Sequence, residues 1–191
     1  ANETARTGAQ LIYIVGADHK IQNDGLGQAN EAQLSLFSTY LEETIKNLNI
    51  EIVVEESNED ALSRSMAKNC VARNVANKFK LKHIFCEPTM RERRELGIPK
   101  DREICDILGL SIALSKEDVK KLDEKKKDYF PIRENFWFGQ IVNLRDKEML
   151  MIIGAEHTNS FPKILEKHNC NYKIVNKNWC FENTDILNSL K

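Results

Sequence analysis

Apolar residues along the chain fall into two alternating rhythms. Short apolar-rich runs lie at 11–15, 50–54, 83–86, 148–153 and 172–175. Runs of this length, bounded by polar or glycine residues, read as buried strands. Between them, apolar positions recur at three- and four-residue steps. Leu34, Phe37, Leu41, Ile45 and Leu48 make one such stripe and predict a helix from about Asn30 to Asn47. Leu62, Met66, Val71, Val75 and Phe79 make a second, in a helix opened by a capping box at Ser57–Asp60 and running to about Lys80. Pro131 predicts a helix start, since proline suits the first helical position. Further helices are expected at about 159–168 and 184–190, while 104–114 reads equally as a short helix or an irregular segment.

Strands alternating with helices imply crossover connections. The expected fold is therefore α/β: a single domain with a mostly parallel β-sheet of about five strands and helices on both faces. Residues 1–10 read as a flexible arm, and 11–191 as the domain. Two strands end alike. The first closes on Gly16-Ala17-Asp18-His19, and the fourth on Gly154-Ala155-Glu156-His157. Strand, Gly-Ala-acid-His, helix, strand occurs near each end of the chain, which suggests an internal duplication. The polar loop 20–29, with Gly25 and Gly27, leaves the first strand directly after His19 and is expected to be mobile and to cover a site there.

Composition narrows the classes. With 41% hydrophobic and 30% charged residues, the 191-residue chain has the balance of a folded globular domain. A net charge of −1 lacks the basic footprint of a nucleic-acid binder. No apolar stretch is long enough to span a membrane, and the first ten residues lack the apolar core of a signal peptide. Cys70, Cys86, Cys105, Cys170 and Cys180 are odd in number and form no Cys-x-x-Cys pair. That pattern fits reduced thiols and predicts a cytoplasmic protein. Nothing in the sequence bears on oligomeric state.

In parallel α/β sheets ligands bind beyond the carboxyl ends of the strands. Those ends carry His19, Glu55 and Glu56, Glu87, and His157. Two histidines with one or two carboxylates make a usual open shell for a catalytic divalent ion. Without a metal the same groups serve as general acid and base. Each residue also has a plainer reading. Glu55 or Glu56 would suit a helix N-terminus, and Glu87 would suit a loop beside Pro88. His83 reads as a surface residue, and His168 as a helix-end residue. Cys86 reads as a buried inert thiol rather than a nucleophile. Arg91, Arg93 and Arg94 read as a solvated helix turn rather than an anion clamp. Arg133 and Trp137 share a helix face, from which Arg133 would reach the site.

The motifs GADH at 16–19 and GAEH at 154–157, with IVVEE at 52–56, FCEPTMRERR at 85–94 and IRENFW at 132–137, resemble those of the TraB/Tiki group. Its wider superfamily includes ChaN-like and erythromycin-esterase-like proteins. The resemblance implies hydrolysis of a peptide or small-molecule substrate. In its Tiki form it implies a peptidase-like metalloenzyme, with zinc, manganese or cobalt held by His19, Glu55, Glu87 and His157. In that reading Glu56 or Glu87 shuttles the proton and Arg133 steadies an oxyanion. In its erythromycin-esterase form it implies His19 as a metal-free general base. A non-catalytic binding domain on the same fold is the reading outside enzymes.

Overall fold

The computed structural model describes residues 11–111, 113–144 and 146–180. Five parallel strands form one sheet: β1 (Leu11–Ala17), β2 (Ile52–Glu55), β3 (Lys82–Phe85), β4 (Met149–Gly154) and β5 (Asn171–Trp179), in the order β3-β2-β4-β1-β5. The α/β class, the parallel sheet and the helices on both faces are as the sequence predicts. The helices are α1 (Glu31–Leu48), α2 (Glu59–Arg64), α3 (Val71–Lys78), α4 (Met90–Glu95), α5 (Asp101–Leu108), α6 (Lys116–Lys126), α7 (Phe130–Ile141) and α8 (Phe161–Lys167). None of the described helices is long and apolar enough to cross a membrane. The arm at 1–10 and the terminal helix expected at 184–190 lie outside the described residues.

Side-chain alternation divides the core into two layers. On one face Val15, Val53, Leu150 and Ile152 pack under α1 and α3, with Phe37, Leu41, Val75 and Trp179. On the other, Ile14, Val54, Met151 and Ile153 pack under α7 and α8, with Trp137, Ile141, Phe161 and Leu165. β4 lies between β2 and β1 and is buried along its whole length, so its sequence is apolar throughout instead of alternating.

Connectivity fixes where a ligand can sit. β1 leads through α1 toward β2 on one side of the sheet, while β4 leads through α8 to β5 on the other. The two connections leave adjacent strands on opposite faces, which opens a crevice at the carboxyl ends of β1 and β4. Both Gly-Ala-acid-His motifs end there, because Ala17 pairs with Gly154 across the β1–β4 ladder.

The second helix departs from expectation. In place of one helix to Lys80 there are two, and Met66, expected in the core, is 64% exposed with φ +53°. The break is tertiary in origin. The Asp24 carboxylate accepts the Lys68 and Asn69 amides, each at 2.8 Å, Asn23 bridges Cys70, and Val71 N donates to Gln22 O. The loop at 20–29 thus takes backbone groups that a continuous helix would use itself. The same bonds tie that loop to the segment between α2 and α3, and Lys20, Gln22, Asn23 and Gln28 line the crevice beside His19, the position expected of it. Asn58, rather than Ser57, caps α2, accepting Ala61 N.

The Asn69 amide is the largest influence holding the Asp24 carboxyl below its usual range. Its stabilising effect is therefore present above the ordinary carboxylate range and fades as pH falls through the depressed value. Replacing Asp24 by Ala is expected to cost about 1 kcal/mol at neutral pH, allowing for its solvent exposure. Urea midpoints should show the difference shrinking in acid. An unchanged midpoint at neutral pH would mean the loop is held by other contacts.

Candidate functional site

His19 and His157 each follow their strand in a short 3₁₀ turn. Asp18 shapes the first by accepting Lys20 N. The turns project both rings toward one carboxylate. Glu56 Oε1 lies 3.6 Å from His19 Nε2 and 3.7 Å from His157 Nε2. Glu56 is held on both its oxygens: Gly154 N donates to Oε2 at 2.6 Å, and Arg133 Nη2 donates to Oε1 at 2.5 Å. Burial favours the neutral acid, but the charges of His19 and Arg133 and the Gly154 amide keep this carboxyl below its usual range.

Arg133 is the hub. From the first turns of α7 it also donates to both oxygens of Glu87, with Nη2 to Oε2 at 3.0 Å and Nε to Oε1 at 3.1 Å. Its Nη1 lies 3.3 Å from His157 Nε2. Burial works against its charge, yet Glu56 and Glu87 raise its pKa above the ordinary guanidinium value. Glu87 in turn accepts from Arg93 at 3.2 Å and from the Trp137 indole at 2.9 Å. Here Arg93 separates from its neighbours: it reaches inward, whereas Arg91 pairs on the surface with Glu95.

His157 is fully buried (0% exposed) between Phe130 and Trp137, with ring centroids 3.9 and 4.7 Å away. Its Nδ1 lies 2.8 Å from Glu134, which also accepts from Ser160 Oγ. A carboxylate on Nδ1 places the hydrogen there and turns the Nε2 lone pair toward Arg133. His19 sits at the mouth instead, with 46% of its side chain open to solvent. Its Nε2 lies 3.6 Å from Glu156, and its Nδ1 is 3.0 Å from Gln22 Oε1. The surrounding protein disfavours the charged ring, but Glu56 first, then Glu156 and Gln22, overcome this and raise its pKa to about 10. The neighbouring imidazolium is the main reason the Glu156 carboxyl falls to about 2. Water reaching the half-exposed pair screens both charges.

The crevice opens into two adjoining cavities that share His19, Arg93 and Arg133. One, of about 470 Å3, runs under α5 and α6 between Ile98, Ile104, Tyr129 and Phe130, with Lys126, Lys127, Asp101 and Asp123 on its walls. The other, of about 370 Å3, runs along the 20–29 loop past Gln22, Asn23 and Glu56.

The structure gathers His19, Glu56, Glu87, Arg133 and His157, and it separates Glu55 from them. Consecutive strand residues face opposite sides of a sheet. Glu55 therefore points with Val53 under α3, where its Oε2 meets Cys70 Sγ at 2.9 Å and His83 Nε2 at 3.0 Å. These three form a buried group that could hold a metal ion. His83, expected at the surface, is thus largely enclosed. The four ligands expected at the histidine pair do not converge as one set: Glu55 faces away, Glu87 is engaged by three donors, and His157 Nε2 faces a guanidinium. Cys86 is buried, and burial, reinforced by Glu56 and Glu87, raises its thiol pKa, so it is protonated. His168 stacks on Phe138 near the end of α8, a structural position.

Glu134 is the residue sequence reasoning missed. Its signal lies in the helical stripe Phe130, Arg133, Glu134, Trp137, Phe138, Ile141. Two charges on an apolar stripe must be paired within the fold. Comparison with protein-family models, with curated proteins and with solved structures finds no match.

The two motif glycines answer different steric demands. A Cβ on Gly16 would run into the Lys177 carbonyl and Thr158 Cγ2, which are backbone and a well-packed methyl. A Cβ on Gly154 would lie 2.7 Å from His19 Nε2 and 2.7 Å from Glu156 Oε2, both tips of side chains that can swing away. Gly16→Ala is thus expected to destabilise by about 1–3 kcal/mol. Gly154→Ala should leave stability nearly unchanged while displacing His19 and lowering its pKa. Thermal melts and NMR titration of the His19 ring test the pair; equal losses of stability would contradict this division.

Proposed function

We propose that the chain is a hydrolase in which His19 moves the proton and Arg133 steadies negative charge on the substrate. The observation that carries this reading is the convergence of Arg133, His19 and His157 on Glu56 Oε1, at 2.5, 3.6 and 3.7 Å, at the mouth of an open crevice. The gap beside His19 exceeds a hydrogen bond and gives a water oxygen room to bond both ring and carboxylate from the crevice side. Neutral His19 takes a proton from that water as its oxygen bonds to an ester or amide carbonyl carbon. The guanidinium faces the oxyanion so formed. His19 then passes the proton to the leaving group as its bond to that carbon breaks. His157 is too enclosed for this role and instead positions Arg133. The likeness of the two motifs to the TraB/Tiki group, and the mixed apolar and charged crevice walls, support a peptide or small-molecule substrate.

A divalent ion such as zinc, manganese or cobalt on His19 is the second reading. One observation favours it: His19 Nε2 lies 3.6 Å from an oxygen of both Glu56 and Glu156, near the ligand spacing around a tetrahedral ion. Arg133 opposes it, since its guanidinium already occupies Glu56 Oε1.

The test uses p-nitrophenyl acetate and a fluorogenic peptide library, with buffer rates subtracted. The first reading expects turnover in chelator, and a loss of about 10²-fold or more in His19→Ala. As a base His19 must shed its proton, so kcat/KM should rise with pH and level off above about 10. Glu156→Gln removes one of the carboxylates that hold the proton, and should move that limb to lower pH. Turnover lost in chelator and restored by zinc would select the second reading. Full activity in His19→Ala would reject both, and no turnover on any probe would leave a binding domain.

A further inference from the structure

The group at Glu55, Cys70 and His83 lies across the sheet from the crevice, and the proposed hydrolysis does not use it. It draws one side chain each from the end of β2, the residue before α3, and β3. One ligand atom from each lies within 4.8 Å of the other two. Around a tetrahedral zinc ion such atoms stand about 3.4–3.6 Å apart, so small rotations would seat an ion among them. Glu55 is 0% exposed, and its Oε1 has no hydrogen-bond partner among the described residues. A buried carboxylate oxygen without a partner is costly and asks for a positive ligand.

We propose that Glu55, Cys70 and His83 form a structural site for a zinc-class divalent ion. Charge supports the assignment. A Cys70 thiolate and a Glu55 carboxylate supply two negative charges, and a neutral His83 adds none, so a dication in this apolar setting is balanced. The mixed sulfur, nitrogen and oxygen donors suit zinc, with cobalt as its spectroscopic substitute, and disfavour magnesium or calcium. A bound ion would offset the charge shared by the orphan Oε1 of the same carboxylate, and a water would complete the tetrahedral shell. Binding is a simple exchange: the Cys70 S–H bond breaks, a sulfur–metal bond forms, and the proton leaves to solvent. The ion would tie the four-residue edge strand β3 to β2 and to the start of α3, where β3 otherwise has one paired neighbour. This inference stands apart from the hydrolase reading, because none of its three ligands borders either cavity of the crevice.

The test is cobalt titration of the full chain, purified without a metal-binding tag and stripped with chelator. One equivalent of cobalt is expected to give a near-ultraviolet thiolate charge-transfer band, which zinc bleaches, and zinc should raise Tm. Cys70→Ser should abolish the band, and His83→Gln should weaken cobalt binding at least ~10-fold. His19→Ala should change neither the band nor the affinity. No band in the wild-type chain overturns the proposal, as does a band that survives Cys70→Ser or is lost in His19→Ala. If circular dichroism shows Cys70→Ser to be unfolded, His83→Gln decides: unchanged cobalt affinity there overturns the proposal.

Discussion

The buried guanidinium of Arg133 binds the carboxylates that follow two strands and faces the histidine that follows a third. Glu56 lies just past β2, Glu87 past β3 and His157 past β4, and α7 reaches all three through one side chain. Each of those acids is almost closed to water. Neither is tolerable there as a charge without a cation, and one planar five-donor fork serves both. Taking it away would strand two carboxylates in the interior, a loss on the order of 3–5 kcal/mol for a buried pair broken from one side. The crevice therefore exists as a shaped, charged cavity only while α7 is docked. Stability and site geometry rest on the same contact.

That dependence explains why the two Gly-Ala-acid-His motifs, so alike in sequence, have come to differ. The switch in connection direction between β1 and β4 brings both to one crevice, but α7 and α8 cover only one of them. His157 is enclosed by Phe130 and Trp137, anchored by Glu134, and fixed toward Arg133. His19, not enclosed by α7 or α8, keeps nearly half its side chain in water and two acids within 3.6 Å. An enclosed imidazole with both nitrogens engaged is suited to holding position. A half-exposed imidazole between acids is suited to exchanging protons. The shared motif sets where the rings stand, and the covering layer sets what each can do.

Much of the fold was legible because its signals are local. Apolar runs located all five strands, and the α1 stripe named Phe37, Leu41 and Ile45, which are buried. The crevice was legible too, since polar residues at the ends of parallel strands must meet. What escaped depends on partners distant in sequence. The α2–α3 break comes from Asp24, some forty residues upstream, claiming the Lys68 and Asn69 amides. Residue 83 looks like a surface histidine until Glu55 and Cys70 are seen beside it. Glu134 sits in an apolar stripe, and its reason for being there is His157, in the turn after β4.

The adjacent pair Glu55-Glu56 shows how one ambiguity in the sequence becomes a division of labour in the sheet. At the end of a parallel strand both acids are equally near the ligand-binding edge, and composition cannot rank them. The pleat can, since consecutive side chains cannot share a face. Register fixes the outcome: Glu55 pairs with Phe85 and Ile152 inside the ladder, while Glu56 N reaches the Ile152 carbonyl one step further on. Glu56 is thereby directed to the Arg133 side and Glu55 to the α3 side. A one-residue slip of β2 would leave one cluster without its acid: Glu56 would meet Cys70 and His83 with Ser57 left for Arg133, or Glu55 would meet Arg133 with Val54 left for Cys70 and His83. Burial forbids that slip, because in either direction an acid, Glu55 or Glu51, would take the place of Val54 or Ile52 in the apolar layer under α7 and α8. The hydrophobic register of a four-residue strand thus assigns each glutamate to its own cluster.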